Sequence, residues 1–357
     1  MSPASPPAKF TLRQYLETFA IGGVGGMIFG LSGLPAGWLS GSMLFVAVAA
    51  LSGRRTAFPH WLARAIFIII GISLGAVASP ETLRGIAAWP LSIATLGVSI
   101  ILATIASTVY LQRVHRWDLM SAYLASVPGL LTQVLIMVTQ THADARGVII
   151  VQIVRIVILA IGVPLGIGML GLAGSPPPHV VINFQDSIFE LLILVIPSVA
   201  GAFALHALRF PAGWLFGAMI VSVVLHGAGI VSIGLPWWVV AAAMCGLGTL
   251  NGTRFGNTTI RQLLDYLAAS VGSFIVGAVT ASIFVVGLVW FLRLHPADLV
   301  VSFAPGGLDV MMILALALHL DPVFVGAHHL ARFLLISVSL PVAIRAIRRR
   351  MPPPDSI

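Results

Sequence analysis

Long apolar stretches with few charges alternate with short polar connections along the whole chain. In the first half they cover residues 15–32, 37–52, 61–79, 87–112, 119–140 and 146–170. Stretches such as Ile66–Leu74 are apolar on every side, whereas the strands of a membrane β-barrel alternate between apolar and polar residues. A membrane-crossing helix needs about 20 apolar residues, so the pattern predicts some ten to twelve of them. We therefore predict an all-α polytopic membrane protein.

Composition supports this class. Hydrophobic residues make up 59% of the 357 positions, charged residues only 8%, and the mean hydropathy is +1.05. A soluble domain carries about 25% charged residues, so the expected surroundings of this chain are a lipid bilayer. The net charge of +8 comes mostly from single arginines at segment ends. That distribution is typical of a topology signal, and it does not favour a nucleic-acid partner.

The two halves of the sequence repeat one another. LPAGWLSGSM at 34–43 recurs as FPAGWLFGAM at 210–219, and further along the offset settles at 177 residues. At that offset rare residue types match, among them Pro128-Gly129 with Pro305-Gly306, Asp144 with Asp321, Arg155 with Arg332, and Pro164 with Pro341. Matches of this kind at one offset predict a tandem duplication.

The duplication divides the chain into five parts. A short polar tail (1–14) precedes the first membrane repeat (15–173), and a Pro-rich linker (174–187) leads to the second (188–346). A basic, Pro-containing tail (347–357) follows. The first apolar segment lacks a clear cleavage site, so we interpret it as a retained helix and not a signal peptide. Cys245 is the only cysteine, which excludes a disulfide within the chain.

The fifth segment of each half is interrupted by Pro128-Gly129 or by Pro305-Gly306-Gly307. Proline removes a helix hydrogen bond, and in a bilayer the freed groups need protein or a water-filled cavity around them. We therefore predict a broken helix in each half, with the two breaks facing each other at the protein centre.

The distribution of Lys and Arg distinguishes two topologies, both with cytoplasmic termini. If all six segments span, the halves are parallel, with twelve basic residues inside and five outside. If the broken segment is re-entrant, the halves are inverted, with fifteen inside and two outside. The positive-inside rule favours the inverted arrangement, which many transporters share.

Several motifs have structural interpretations. The stripes Gly22/Gly26/Gly30, Gly71/Gly75 and Gly248/Gly252 predict close helix packing. In LPAGWL and FPAGWL the proline is expected at a helix N-terminus, followed by an interfacial tryptophan. Asp144 and Asp321 are expected to cap the helices that carry Arg155 and Arg332.

Arg155 and Arg332 lie about eleven residues beyond those aspartates, or roughly 16 Å along a helix, which places them near the middle of the bilayer. A charge there costs at least ~2.5 kcal/mol and is by default a functional-site hypothesis. Gln152 and His329 precede the two arginines by three positions, on the same helix face.

Two interpretations of the arginines remain open. In the structural one, Arg332 pairs with Asp309 in the broken segment. Asp309 corresponds to Thr132 in the first half, however, so Arg155 has no equivalent acid. The surplus positive charge suits an anion, which free N–H groups at the breaks would also favour. The predicted substrate site comprises Arg155, Arg332, Asp309, Gln152, His329, Thr132, Gln133, Pro128, Gly129, Pro305, Gly306 and Gly307.

Enzymatic chemistry has no support in the residues. His328 and His329 are adjacent and point about 100° apart on a helix, so they cannot share a metal as an i,i+4 pair can. We find no Cys/His/Asp cluster with metal spacing, nucleophile elbow, phosphate loop or flavin fingerprint. The expectation is a protein that is not an enzyme and has no cofactor or metal.

The duplicated unit, with LPAGWLSGSM, GISLG, SVPGLLTQV/FAPGGLDVM and a helix bearing QIVR/HLAR, resembles the AbrB-type bacterial membrane protein family. That family is recognised by this duplication and is often labelled an ammonia monooxygenase; the resemblance spans about 15–345. It implies a multi-pass inner-membrane protein linked to regulation of gene expression. Thr132 departs from the Asp309 of the second half, and the ten scattered histidines do not resemble the clustered imidazoles of a copper oxygenase.

Together these features predict a secondary transporter or exporter of a small anionic solute, with its site at the repeat interface. The alternative is an inner-membrane sensor or regulator that transports nothing and affects gene expression indirectly. Both leave open whether the protein forms a homo-oligomer.

Overall fold

A computed structural model describes residues 10–77, 89–128, 134, 137–138, 141–172, 174, 184–256 and 258–350. Within these ranges the protein consists of thirteen α-helices and one 3₁₀-helix. Five of the helices are long and apolar enough to cross a membrane. The predicted all-helical class is therefore confirmed for the described residues.

The first half contains six of the helices. They are α1 (Leu12–Leu31), α2 (Gly37–Leu51), α3 (His60–Val77), α4 (Trp89–His115), α5 (Leu119–Ser126) and α6 (Ala145–Met169).

The second half contains the other seven and the 3₁₀-helix. They are α7 (Phe184–Ala207), α8 (Gly213–Gly227), α9 (Trp237–Gly252), the 3₁₀-helix Thr253–Phe255, α10 (Ile260–Leu292), α11 (Pro296–Phe303), α12 (Leu308–Ala317) and α13 (Pro322–Arg350).

Helix ends follow local capping chemistry. Asp144 is the N-cap of α6, where its Oδ1 accepts from the Arg146 N–H at 3.1 Å. Asp321 Oδ1 accepts from the N–H groups of Val323 (2.9 Å) and Phe324 (3.0 Å) at the start of α13. A carboxylate there satisfies N–H groups that have no partner within the helix, so the predicted capping role of both aspartates is confirmed.

The PAGW motifs differ from their predicted role in one detail. Proline does not open the helix: Ala36 and Ala212 are the N-caps of α2 and α8, in the left-handed conformation (φ 53° and 49°). Pro35 therefore precedes the N-cap, because the chain must turn sharply at the alanine before the helix can begin.

Helix packing divides the molecule into two groups, each with helices from both halves. In the first group, α1 packs on α2 and α2 on α9, while α7 packs on α8 and α8 on α3. In the second group, α4 packs on α10 and α13, α5 on α6, α6 on α10, and α11 and α12 on α13. The groups meet where α12 and α13 contact α3, and where α6 contacts α2.

Glycines allow the close packing inside the first group. A Cβ at Gly71 of α3 would lie 2.3 Å from the Leu215 carbonyl oxygen of α8, and one at Gly248 of α9 would lie 2.2 Å from the Leu39 carbonyl oxygen of α2. Real Cβ atoms do not approach backbone so closely, so the predicted packing role of these glycines is confirmed.

The largest apolar core lies between the two groups. It combines Leu39, Met43, Ile70 and Met219 of the first group with residues of α6 and α11 and nearly all of α12 from the second. A separate core, with Leu96, Val151 and Leu299, lies inside the second group.

The broken segments flank this central core. In the second half, residues 304–307 separate α11 from α12. In the first half, α5 ends at Ser126, directly before Val127 and Pro128. Gly129, Thr132 and Gln133 lie outside the described residues.

Candidate functional site

Arg332 of α13 lies beside the end of α11. Its Nη1 donates to the Ala304 carbonyl (2.5 Å), and its Nη2 donates to the Ser302 carbonyl (2.6 Å). Only 3% of the residue is exposed, and its Nε has no hydrogen-bond partner. Nη1 and Nη2 thus bind the carbonyls at the end of α11, while the buried Nε–H has no partner.

Arg155 of α6 makes the corresponding contacts at the end of α5. Its Nη2 donates to the carbonyls of Ala125 (2.7 Å) and Ser126 (3.4 Å), and its Nη1 donates to that of Val127 (3.2 Å). The residue is 4% exposed. Both arginines are therefore buried, as predicted.

Gln152 and His329 reinforce the same helix ends. Gln152 Nε2 donates to the carbonyls of Leu124 (3.1 Å) and Val127 (2.8 Å). His329 Nε2 donates to the carbonyl of Val301 at 3.0 Å. In each half, a polar side chain and an arginine one turn apart bind the final carbonyls of a short helix.

Short helices explain why these donors are needed. The last carbonyls of any helix have no partner within it, and the C-terminal end carries partial negative charge. In the apolar interior no bulk water can satisfy them, so a buried guanidinium with several donors stabilises this end.

The predicted pairing of Arg332 with Asp309 is wrong. Asp309 Oδ2 instead accepts from Nη2 of Arg254 at 3.2 Å. Asp309 is the second residue of α12, so its carboxylate lies in the first turn of that helix, while Arg332 is directed at the end of α11. Among the described residues Arg155 has no carboxylate partner, in keeping with the lack of an equivalent acid in the first half; backbone carbonyls occupy its donors instead.

A small cavity of about 10 Å³, room for about one water-sized sphere, is lined by residues of both breaks. Its walls combine one guanidinium with mostly apolar side chains, from Pro128, Gly306, Leu308, His329, Arg332, Phe333 and Ile336. The cavity thus brings together Pro128 of the first break and Gly306 of the second. It also reaches the first residue of α12, where helix N–H groups lack intrahelical acceptors.

The remaining predicted site residues take other positions. Pro305 and Gly307 belong to the second break but do not line this cavity, and neither do Arg155, Gln152 and Asp309. The lining residues Leu308, Phe333 and Ile336 were missed, since apolar residues give no signal in a sequence of this composition. Arg254 was also missed, because an arginine at the end of an apolar segment is typical of a topology signal.

The electrostatics of the site are dominated by positive groups. The guanidinium groups of Arg155 and Arg332 are both buried, at 4% and 3% exposed. Asp309 is the nearby acid, and Arg254 pairs with it. Among the described residues, no three His, Cys, Asp or Glu side chains converge as a metal site requires. The arrangement is thus suited to electrostatic binding of an anion.

Fold and site together define a class of all-helical proteins with long apolar helices. In each half, a short helix (α5 or α11) ends where its last carbonyls bind a buried arginine. Within that class, the chain belongs to the AbrB family. The family model, described as "Transition state regulatory protein AbrB", matches residues 4–348.

Two curated relatives match over nearly their whole length. The uncharacterised protein YhjN of Bacillus subtilis (strain 168) is 24% identical over 365 residues, covering 94% of this chain and 94% of YhjN. The second relative is a protein of Escherichia coli (strain K12) that is named as a candidate regulator, AbrB. It is 25% identical over 322 residues, covering 89% of this chain and 92% of that protein.

Proposed function

We propose that this protein is a secondary transporter of a small anion, bound at the cavity between the two helix breaks. One observation carries the proposal: Arg332 is 3% exposed, lines the cavity, and has an Nε without a partner. A buried unsatisfied donor is costly, and here it belongs to a cation beside a helix N-terminus. An anion in the cavity would satisfy the Nε and the positive end of α12 together.

Repeated contacts support a duplicated fold as the frame of this site. Arg155 contacts Ala125 as Arg332 contacts Ser302, and each pair of positions is 177 residues apart. Pro128 and Gly306 line one cavity, so a residue of each break lies close to the other break. Re-entrant segments that enter from opposite sides would meet in this way.

The charge pattern supports the orientation. With inverted halves, fifteen Lys and Arg lie on one side and two on the other, which the positive-inside rule assigns to a cytoplasmic majority. We therefore place the protein in the bacterial inner membrane, with both termini cytoplasmic.

A thermal-shift series on purified protein tests the anion site. Sodium salts of chloride, nitrate, formate, acetate, phosphate and succinate are compared at constant ionic strength, and the anion that stabilises the protein is then followed into proteoliposomes. Arg332→Lys keeps the charge and a donor for the end of α11, but loses the Nε–H and the planar fork. A charge-assisted hydrogen bond contributes about 1.5–3 kcal/mol, so we expect affinity to fall roughly 10- to 100-fold.

The matched control is Arg146→Lys, an exposed change at the N-terminus of α6. It should leave both binding and flux unchanged. If no anion stabilises or crosses, or if Arg332→Lys binds as the wild type does, the anion site does not exist.

Regulation of gene expression is the second candidate, favoured by the name of the Escherichia coli relative. A transcriptome comparison of a deletion strain complemented with wild type or Arg332→Lys distinguishes the two. Loss of both transport and regulation in Arg332→Lys makes regulation a consequence of transport, whereas intact regulation without transport favours a sensor.

A further inference from the structure

Arg254 and Asp309 join the two helix groups next to the proposed site. Arg254 lies in the 3₁₀-helix directly after α9, in the connection from the first group to α10 of the second. Asp309 lies in α12, one residue beyond the cavity-lining Leu308. By comparison, the ion pair of Glu17 and Arg54 lies within the first group.

This pair is more protected from solvent than the Glu17–Arg54 pair. The side chains of Arg254 and Asp309 are 27% and 17% exposed, against 60% for Arg54 and 38% for Glu17. Partly buried charges are screened less by salt than exposed ones. The Arg254–Asp309 contact is therefore suited to hold the two groups in one relative position.

The Asp309 carboxylate also lies where an anion would bind. A Cβ built at Gly307, the N-cap of α12, would be 2.7 Å from Asp309 Oδ1. The carboxylate thus occupies the first helical turn, whose N–H groups and dipole attract negative charge. An anion entering beside Leu308 competes with it for the same positive helix end.

The pair has no counterpart in the first half. At an offset of 177 residues, Val77 corresponds to Arg254 and Thr132 to Asp309, so this ion pair cannot form there. The remaining contact between the groups is largely an apolar core that includes Met43, Met219 and Met311. Flexible methionines can repack as the surfaces shift.

We propose that the Arg254–Asp309 pair is a latch, an ion pair that holds the two helix groups in one relative position until an anion binds. Asp309 acts as a tethered anion at the start of α12. An entering anion that displaces it releases Arg254 and frees the two helix groups to move. This rests on the proposed function. Arg254 and Asp309 are then positioning residues, and they couple occupancy of the cavity to motion at one break only.

Pulsed electron paramagnetic resonance on full-length protein in nanodiscs tests the latch without any substrate. Native Cys245 is replaced by Ala, and spin labels are attached at exposed Val224 of α8 and Val338 of α13, one in each group. We expect one distance in the parent protein, and a second population in both Asp309→Asn and Arg254→Gln. Arg254→Lys restores the charge and should return the single distance.

A label pair within the second group, Val286 of α10 and Val338, is the control. It should keep one distance in every variant. An unchanged Val224–Val338 distance in both variants overturns the latch. Equal broadening of the control pair overturns it as well, since the ion pair would then only stabilise the fold.

The tethered-anion role has a separate test. Asp309→Asn removes the competing charge, so acetate, chloride and the other salts of the thermal-shift series should bind more tightly than in wild type, by roughly tenfold for each ~1.4 kcal/mol of lost competition. Equal affinity in the two proteins overturns the competition. Absence of binding by any anion to either protein refutes the proposed function instead, while the label distances still decide the latch.

Discussion

Arg155 donates a 2.7 Å hydrogen bond to the carbonyl of Ala125, and so joins the middle of α6 to the end of α5. The same guanidinium also reaches the carbonyls of Ser126 and Val127. These contacts make the residue a cap for a helix that ends inside the protein, where Gln152 reaches the carbonyls of Leu124 and Val127 but not those of Ala125 and Ser126.

Arg155→Leu should therefore destabilise the protein. It leaves carbonyls of the α5 end buried without a donor, each at a cost of about 1–3 kcal/mol. We expect a clear drop in Tm for Arg155→Leu and a smaller one for Arg155→Lys, which keeps a donor but not the planar fork. Thermal denaturation in detergent measures both. Arg146→Leu, at an exposed position of the same helix, should melt like the wild type, and a wild-type Tm for Arg155→Leu would refute the cap.

Gln152 and His329 should be interchangeable, because each binds the carbonyl two residues before the last residue of its short helix, Leu124 in α5 or Val301 in α11. Gln152→His is expected to keep the bond to Leu124 and most of the stability. Gln152→Leu removes the donor and should cost about 1–3 kcal/mol. Urea titration followed by tryptophan fluorescence compares the two. Equal destabilisation by both changes would show that the two positions are not equivalent.

The sequence predicted the helical class, the buried arginines and the place of the break in the second half, because these depend on residue types that stand out in an apolar chain. A proline with glycines mid-segment has few other interpretations, and neither does an arginine in an apolar run. It also predicted the caps at Asp144 and Asp321, which are local features.

The partner of Asp309 could not be predicted in this way. Arg332 was the nearest buried cation along the chain, while Arg254 lies 55 residues away and meets Asp309 only after α9 and α12 have packed. The true partners of Arg332 and Arg155 are backbone carbonyls, which every residue has. A helix that ends before a proline break leaves its last carbonyls without partners in the helix. That general rule is the one signal in the sequence that indicates these carbonyls as partners of the arginines.

Close packing at Gly71 and Gly248 should make both positions intolerant of a methyl group. Gly71→Ala would place Cβ 2.3 Å from the Leu215 carbonyl oxygen, and backbone must shift to relieve it. Overpacking of this kind typically costs about 1–3 kcal/mol. Gly287 of α10 has open space around it, so Gly287→Ala should be neutral or stabilising by up to about 1 kcal/mol. Differential scanning calorimetry should give opposite signs, and a common sign would contradict the packing argument.

A disulfide between the two helix groups should stop transport by preventing their relative motion. A Cβ at Gly168 of α6 would lie 3.8 Å from the Cβ of Pro35, before α2, and disulfides need about 3.5–4.5 Å. In a Cys245→Ala background, Pro35→Cys with Gly168→Cys should therefore cross-link on mild oxidation. We expect flux of the anion identified by thermal shift to disappear on oxidation and to return with reductant.

A cross-link within one group is the matched control for that experiment. Gly26→Cys faces native Cys245, whose Cβ lies 3.4 Å from the position of the new Cβ. Both residues belong to the first group, in α1 and α9, so their disulfide should form and leave flux intact. Because both bonds cross-link segments that pack against each other, a general loss of flexibility would affect them alike. Full flux through the oxidised Pro35/Gly168 variant would show that the groups need not move, while loss of flux in both would trace the effect to rigidity of the whole fold.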